Sequence, residues 1–483
     1  MNAYVHSSLD LNRLTHDMHG WLTGWFTPYV GQELLYAAGA TPSYSGRVSA
    51  KITNNYGHWD RYDYSYDRLG RLTSAAFSRR MPAGATADNG SPDADFSTAY
   101  SYDLQGNMLT LTRRGLTAPH LYGDIDDITA TYDGNRLSSL RDAAGTVLLE
   151  SSLDLPGGSW TGSDFGYDAN GNLTRDMSRG VADVVYNELN LPRRVEFADG
   201  GRIDYLYSAA GTKLAETAFD AGGNRISRRD YAGQFEFASD TLERVHLPEG
   251  FMTEADGAYH AYIADYQGNI VGVYNTATGY FEQYTDYYPY GLPHASATSP
   301  DINRRKYGAK ELTTDLGLNL YDFAARWHNP AFPAFTTPDP LAEKYKDLSP
   351  YLFCGGDPVN FVDPSGMYID TGQLSDSELE QWEYLIDILC DCSAMFNSLY
   401  SELQQSDVNY TIGVVSEVDG VEDCAVASFN VETKEIKFKE LIPDTVSQII
   451  EELFHAYQAE TDYGNGQMNK EFEACMFKTC VAA

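Results

Sequence analysis

Tyr167-Asp168-Ala169-Asn170-Gly171-Asn172-Leu173 repeats a pattern already present as Tyr66-Asp67-Arg68-Leu69-Gly70-Arg71-Leu72 and Tyr102-Asp103-Leu104-Gln105-Gly106-Asn107-Met108. The unit is an aromatic, often followed by Asp, with Gly four positions after the aromatic, then a polar residue and an aliphatic one. Looser copies begin at Tyr132, Tyr186 and Tyr207, and His16-Asp17-Met18-His19-Gly20-Trp21-Leu22 reads as a decayed copy. Asp-x-x-Gly-Asn is turn chemistry, with Gly or Asn at positive φ. Alternation such as Leu109-Thr110-Leu111-Thr112 after the turn starts a strand. The unit is therefore a hairpin in which Tyr ends one strand and the aliphatic residue begins the next. A lone hairpin is marginal, so neighbours are expected to add edge to edge into one long antiparallel sheet. An ordinary antiparallel sandwich with Gly-Asn turns is the alternative, but it does not call for the same Tyr-Asp before each turn.

Composition agrees. The 483 residues include 36 tyrosines, 21 phenylalanines and 42 glycines, which favours strands and tight turns over helices. A net charge of −35 repels phosphate backbones, so nucleic acid is not an expected partner. No apolar run is long enough for an integral membrane span. The first 30 residues, with Asp10, Arg13, His16 and Asp17, lack the apolar core of a signal peptide. From Tyr368 onward there are nine Asp, fourteen Glu, five Lys and no Arg, a composition break that marks a domain boundary near 367.

The recurring units resemble YD repeats, the signature of the Rhs family and of the C-components of insecticidal toxin complexes. That resemblance covers about residues 10–290 and implies a β-sheet strip spiralling into a hollow shell around a C-terminal passenger. Family shells are usually longer, so upstream repeats are expected to be missing and the chain to form a partial cage. After residue 300 the texture changes to Leu320-Tyr321-Asp322-Phe323-Ala324-Ala325-Arg326-Trp327, Thr337-Pro338-Asp339-Pro340-Leu341, Gly356-Asp357-Pro358-Val359-Asn360 and Asp363-Pro364-Ser365-Gly366-Met367. This stretch resembles the Rhs-associated core domain, which plugs the shell and in some members cuts the chain just after its terminal motif. Carried over, the acids are Asp339 and Asp363 and the cut falls between Met367 and Tyr368. One carboxyl would activate water or accept a proton while the other donates. Pro333-Ala334-Phe335 stands where many members have Gly-Arg-Phe, and Arg326 lies upstream. The plainer reading is that both Asp-Pro pairs only make turns.

Residues 368–483 read as a helix at 375–405, strands at 409–415, 425–431 and 434–439, a second helix at 444–461 and a third from about 469. The second helix carries Glu451-Glu452-Leu453-Phe454-His455. Residues four apart share a helical face, so Glu451 and His455 could both grip zinc, with Glu452 as general base. Glu473, or Glu471, is the expected third ligand from the next helix. The arrangement resembles compact zincin-like metallopeptidases carried by polymorphic toxins, and an immunity protein and a protein or peptide substrate are the partners this implies. His455 is the sole histidine after His328, which leaves a degenerate, inactive passenger as the other reading. Cys390 and Cys392 are too close for a usual zinc knuckle, and a nucleophilic Cys424 or Cys475 working with His455 is a third possibility.

The expected architecture is thus mainly β: a YD-repeat antiparallel shell (1–300), a core (301–367) and a small α+β zincin-like domain (368–483). The expected function is an Rhs-type polymorphic-toxin or effector-delivery protein, secreted or on the cell surface. A non-enzymatic surface interaction protein is the alternative.

Overall fold

The computed structural model describes most of residues 13–363, with its longer gaps at 81–93, 145–152 and 295–301. It also describes Gly366, Leu453 and three strands beyond 410. The chain divides into two compact units, Met1–Asp363 and Pro364–Ala483. Residues 301–363 therefore share one unit with the repeats.

In the first unit the described elements are strands and a few single-turn 3-10 helices. Eleven strands, from Arg13–His16 to Gly158–Trp160, form one sheet, and thirteen, from Phe165–Tyr167 to Tyr280–Tyr284, form another. Each strand lies between its sequence neighbours and runs antiparallel to them. The expectation of one continuous sheet is corrected at a single place. Between Trp160 and Phe165 the chain makes a local turn in which Asp164 N–H donates to Thr161 O at 2.7 Å. Across the gap the ladder is replaced by side-chain and core contacts. Leu137 N–H donates to the Tyr167 hydroxyl at 2.9 Å, and Leu173 N–H donates to Thr336 O at 2.9 Å.

The repeat has one geometry in all of its described copies but one. At Asp103, Oδ1 accepts the N–H of Gln105 and of Asn107, both at 2.9 Å, and Oδ2 accepts Asn107 Nδ2 at 2.8 Å. The Asp103 amide closes the loop on Asn107 O at 3.0 Å. Such local side-chain bonds specify the turn before any long-range contact forms. The same frame recurs at Asp67, Asp168, Asn187 and Ser208, and at Asp17 its two ends bond to Trp21 in the same way. Two further copies stand at Asp220 and Asp265, where the pattern is broken by Arg225 in the aliphatic place of the first and Ala264 in the aromatic place of the second. The copy at Tyr132 differs, since Asp133 pairs directly with Arg136 in a tighter hairpin.

The tyrosine has its own task. Tyr102 OH donates to Leu72 O at 2.7 Å, Tyr132 OH to Met108 O at 2.8 Å and Tyr186 OH to Leu173 O at 2.7 Å. In each case the acceptor is the aliphatic residue that closes an earlier repeat. One side chain thus buries a ring and latches its hairpin to a previous one, which lets irregularly spaced repeats stack.

The core segment packs against both sheets. Four short strands, Glu311–Thr313, Leu320–Asp322, Trp327–Asn329 and Ala334–Phe335, form a small antiparallel sheet. Tyr321, Phe323, Phe335 and Phe353 pack with Tyr64, Leu72, Leu111 and Ile128 of the first sheet. Leu318, Leu320 and Trp327 pack with Val181, Val195, Ile203 and Tyr205 of the second. Residues 349–360 then run along the row of repeat turns. Tyr351 OH donates to Gly171 O at 2.7 Å, Ser349 N–H to Gln105 O at 2.6 Å, and Asn360 Oδ1 accepts Val48 N–H at 2.8 Å. Tyr266 OH donates to Val359 O at 2.7 Å, bringing a turn of the second sheet onto the same segment. A Cβ on Gly106, at φ +92°, would lie 2.7 Å from Leu352 Cδ2, so here glycine serves both the turn and the close approach of the core.

In the second unit, strands Thr411–Val414, Ala427–Asn430 and Glu435–Phe438 fall within the three stretches expected to be extended. Glu435–Phe438 is central, parallel to the first and antiparallel to the second. Leu453 is helical and buried. The helix expected at 375–405, and the rest of those expected at 444–461 and from 469, lie outside the described residues.

Candidate functional site

The last turns of the core bring the two predicted acids, Asp339 and Asp363, together with Arg326. After strand Leu320–Asp322 the chain reverses through Ala324, at φ +69°, with Phe323 N–H bonded to Arg326 O at 3.0 Å. That turn places Arg326 inside the core, 3% exposed, its guanidinium carbon 3.7 Å from the centre of the Phe335 ring. Nη1 donates to Pro350 O at 3.3 Å. Nη2 lies 3.0 Å from Asp339 Oδ2 and 3.3 Å from Asp363 Oδ2. Both predicted acids, 24 residues apart in sequence, thus converge on one guanidinium nitrogen.

Each is fixed by its surroundings. The Asp339 amide donates to Pro350 O at 2.8 Å, and its Oδ1 accepts Leu341 N–H at 2.8 Å. The Asp363 side chain is 2% exposed and that of Asp339 15%. A shared cation lets two carboxylates sit close without full repulsion, and its delocalised, always-charged plane suits a buried position. Lys310 is a second cation near Asp363. Burial lowers its amine, and the charges of Asp363 and Asp322 partly restore it. Cys354 is buried nearby. Burial first, then the charges of Asp363 and Asp357, push its thiol well up, so it is not an available nucleophile.

Three contributors were not legible in the sequence: the Phe335 ring under Arg326, the Pro350 carbonyl that holds both Arg326 and Asp339, and Lys310. None carries a local signal, because each acts only through contacts made in the folded core. The expected cleavage pair Met367 and Tyr368 lies outside the described residues. So do Glu451, Glu452, His455, Glu471 and Glu473. Among the described residues, no three His, Cys, Asp or Glu side chains are grouped to hold a metal ion, and no helix is long and apolar enough to cross a membrane.

No family model matches the chain. Solved structures of TcdB2-TccC3 and TcdB2-TccC3-TEV superpose with a TM-score of 0.50 at 16% and 17% identity, covering 73% of this chain. What is shared is the fold. Salivary gland surface protein 1 of Aedes aegypti is 23% identical over 224 residues, 41% of this chain. The chain spans about a fifth of the length of the solved chains and 6% of the salivary gland protein.

Proposed function

We propose that this chain is the shell and core of an Rhs-type delivery protein that cuts itself just beyond the core and so frees its C-terminal unit. The observation that carries the reading is the convergence of Asp339 on Arg326 with Asp363, which stands four residues before Met367. Two carboxyls on one cation can divide the labour of peptide hydrolysis. One accepts a proton from the attacking water, the other donates to the leaving amine, and Arg326 offsets the charge that builds between them. The fold shared with TcdB2-TccC3 and the YD-repeat sequence both support a shell role, with further shell components as partners and a secreted or cell-surface setting.

In the same reading the freed unit is a metallopeptidase-like effector. Glu451, His455 and Glu473 would hold zinc, which supplies Lewis acidity, and Glu452 would move a proton. A protein or peptide is the substrate class and an immunity protein the neutralising partner. Three short strands followed by a helical, buried Leu453 agree with the compact α+β order such a domain requires.

Mass spectrometry of the expressed chain tests the cut. Wild type should yield fragments ending at Met367 and starting at Tyr368, and Asp339→Asn should remain intact. A wild-type chain that stays whole on prolonged incubation would reduce Asp339 and Asp363 to turn-forming, ion-paired residues.

A further inference from the structure

Away from Arg326, a lysine and two acids from different sheets meet in the wall of the same unit. Lys213 opens strand Lys213–Phe219 of the thirteen-stranded sheet. Glu311 and Asp322 are direct partners on the first two strands of the small core sheet. Lys213 Nζ lies 2.7 Å from Glu311 Oε2 and 2.7 Å from Asp322 Oδ2, and the three side chains are only 11–17% exposed. Tyr231 encloses the group, its ring centre 5.2 Å from Nζ and its hydroxyl donating to Glu311 Oε1 at 2.8 Å. Glu216 lies 4.0 Å from Nζ, and Arg304 reaches Glu216 at 2.9 Å and Glu311 at 3.0 Å. Asp322 Oδ1 accepts the Ala324 N–H at 2.8 Å, which leaves Oδ2 turned to the lysine.

Carboxylates placed directly opposite on adjacent strands repel, so a sheet that needed only an ion pair to Lys213 would be better served by one. The second acid, the water-poor setting and the amide on Asp322 Oδ1 together resemble a reaction centre. We propose that Lys213 and Asp322 condense to an intramolecular isopeptide bond, with Glu311 relaying the proton. Nζ gives a proton to Glu311, and the free amine attacks Asp322 Cγ, which is one bond length beyond Oδ2. The developing oxyanion sits on Oδ1, where the Ala324 N–H already points. Glu311 returns protons to Oδ2, the Cγ–Oδ2 bond breaks, and one water leaves as the amide forms. No other reactant is consumed. The bond would join the second sheet covalently to the core it surrounds, independently of whether the chain cuts itself.

Burial would lower the Lys213 amine, but Asp322 and Glu311 more than reverse this. Free amine is therefore scarce and the bond forms slowly. Peptide mapping of the full chain after prolonged incubation at about pH 9, where more amine is free, tests the proposal. The expected product is a branched peptide joining Lys213 to Asp322, lighter by one water, with trypsin blocked at Lys213. Lys213→Arg keeps the charge and the fold, checked by circular dichroism, and should give no branched peptide. Asp322→Asn should give the same branched product with loss of ammonia instead of water, and Glu311→Gln should slow it. Separate, unmodified Lys213 and Asp322 peptides in the incubated wild type would overturn the proposal and leave an ion-pair network only.

Discussion

Tyr132 shows what one repeat tyrosine contributes. Its hydroxyl meets the Met108 carbonyl at 2.8 Å while its ring packs against the core of the first sheet. Tyr132→Phe keeps the ring and removes the bond, so it should cost about 1–2 kcal/mol. Urea unfolding should show a lower midpoint with an unchanged slope. A variant as stable as wild type would mean that the latch between repeats is the ring alone. At this scale the turn acids were readable, because the Asp103 carboxylate bonds to residues two and four positions ahead. The carbonyl that receives Tyr132 lies 24 residues back, and no local rule selects it.

Two histidines buried in the first unit, one just after its last long strand and one on the small core sheet, set an acid limit through their titration. His328, on strand Trp327–Asn329, stacks on Phe353 at 4.1 Å, and its Nε2 lies 3.0 Å from Tyr290 O. His294 stacks on Phe96 at 4.0 Å and meets Tyr62 OH at 3.0 Å. Burial holds both imidazoles down to about 3. Between about pH 6.5 and 3 the unfolded chain binds protons that the folded chain refuses, so stability falls with pH in that window. Each histidine contributes about 1.4 kcal/mol per pH unit once fully engaged. Glu311 responds in a lower window. Burial alone would raise it, but Lys213 and Arg304 hold it well below the carboxylate range, and its contribution is lost only as pH drops below about 4.5. Burial raises Glu216, and its protonation partly offsets the loss. The melting temperature of the chain should therefore decline from pH 7 to pH 5, before any carboxylate pair is broken. His294 and His328 ring signals that titrate near pH 6.5 in the folded protein would contradict this.

For the whole molecule, the metal reading predicts stoichiometric zinc in the purified chain, released on acidification because the ligands must be deprotonated. Elemental analysis checks it. His455→Ala should lose the metal while leaving the first unit's melting transition in place, and a metal-free wild type loaded with excess zinc would remove the peptidase from the proposal. What the sequence determined by itself is local or periodic: Asp-x-x-Gly-Asn turns, strand alternation between them and the composition break near 367. These follow from hydrogen bonds spanning four residues and from side chains that alternate across a strand. Only the tertiary structure decided that the repeats form two sheets, that Asp339 and Asp363 share Arg326, and that Lys213 reaches Glu311 and Asp322 from about 100 residues away. Such contacts join segments whose separation in the chain carries no pattern, and they exist because the core segment must bury its aromatics against sheets built long before it in the sequence.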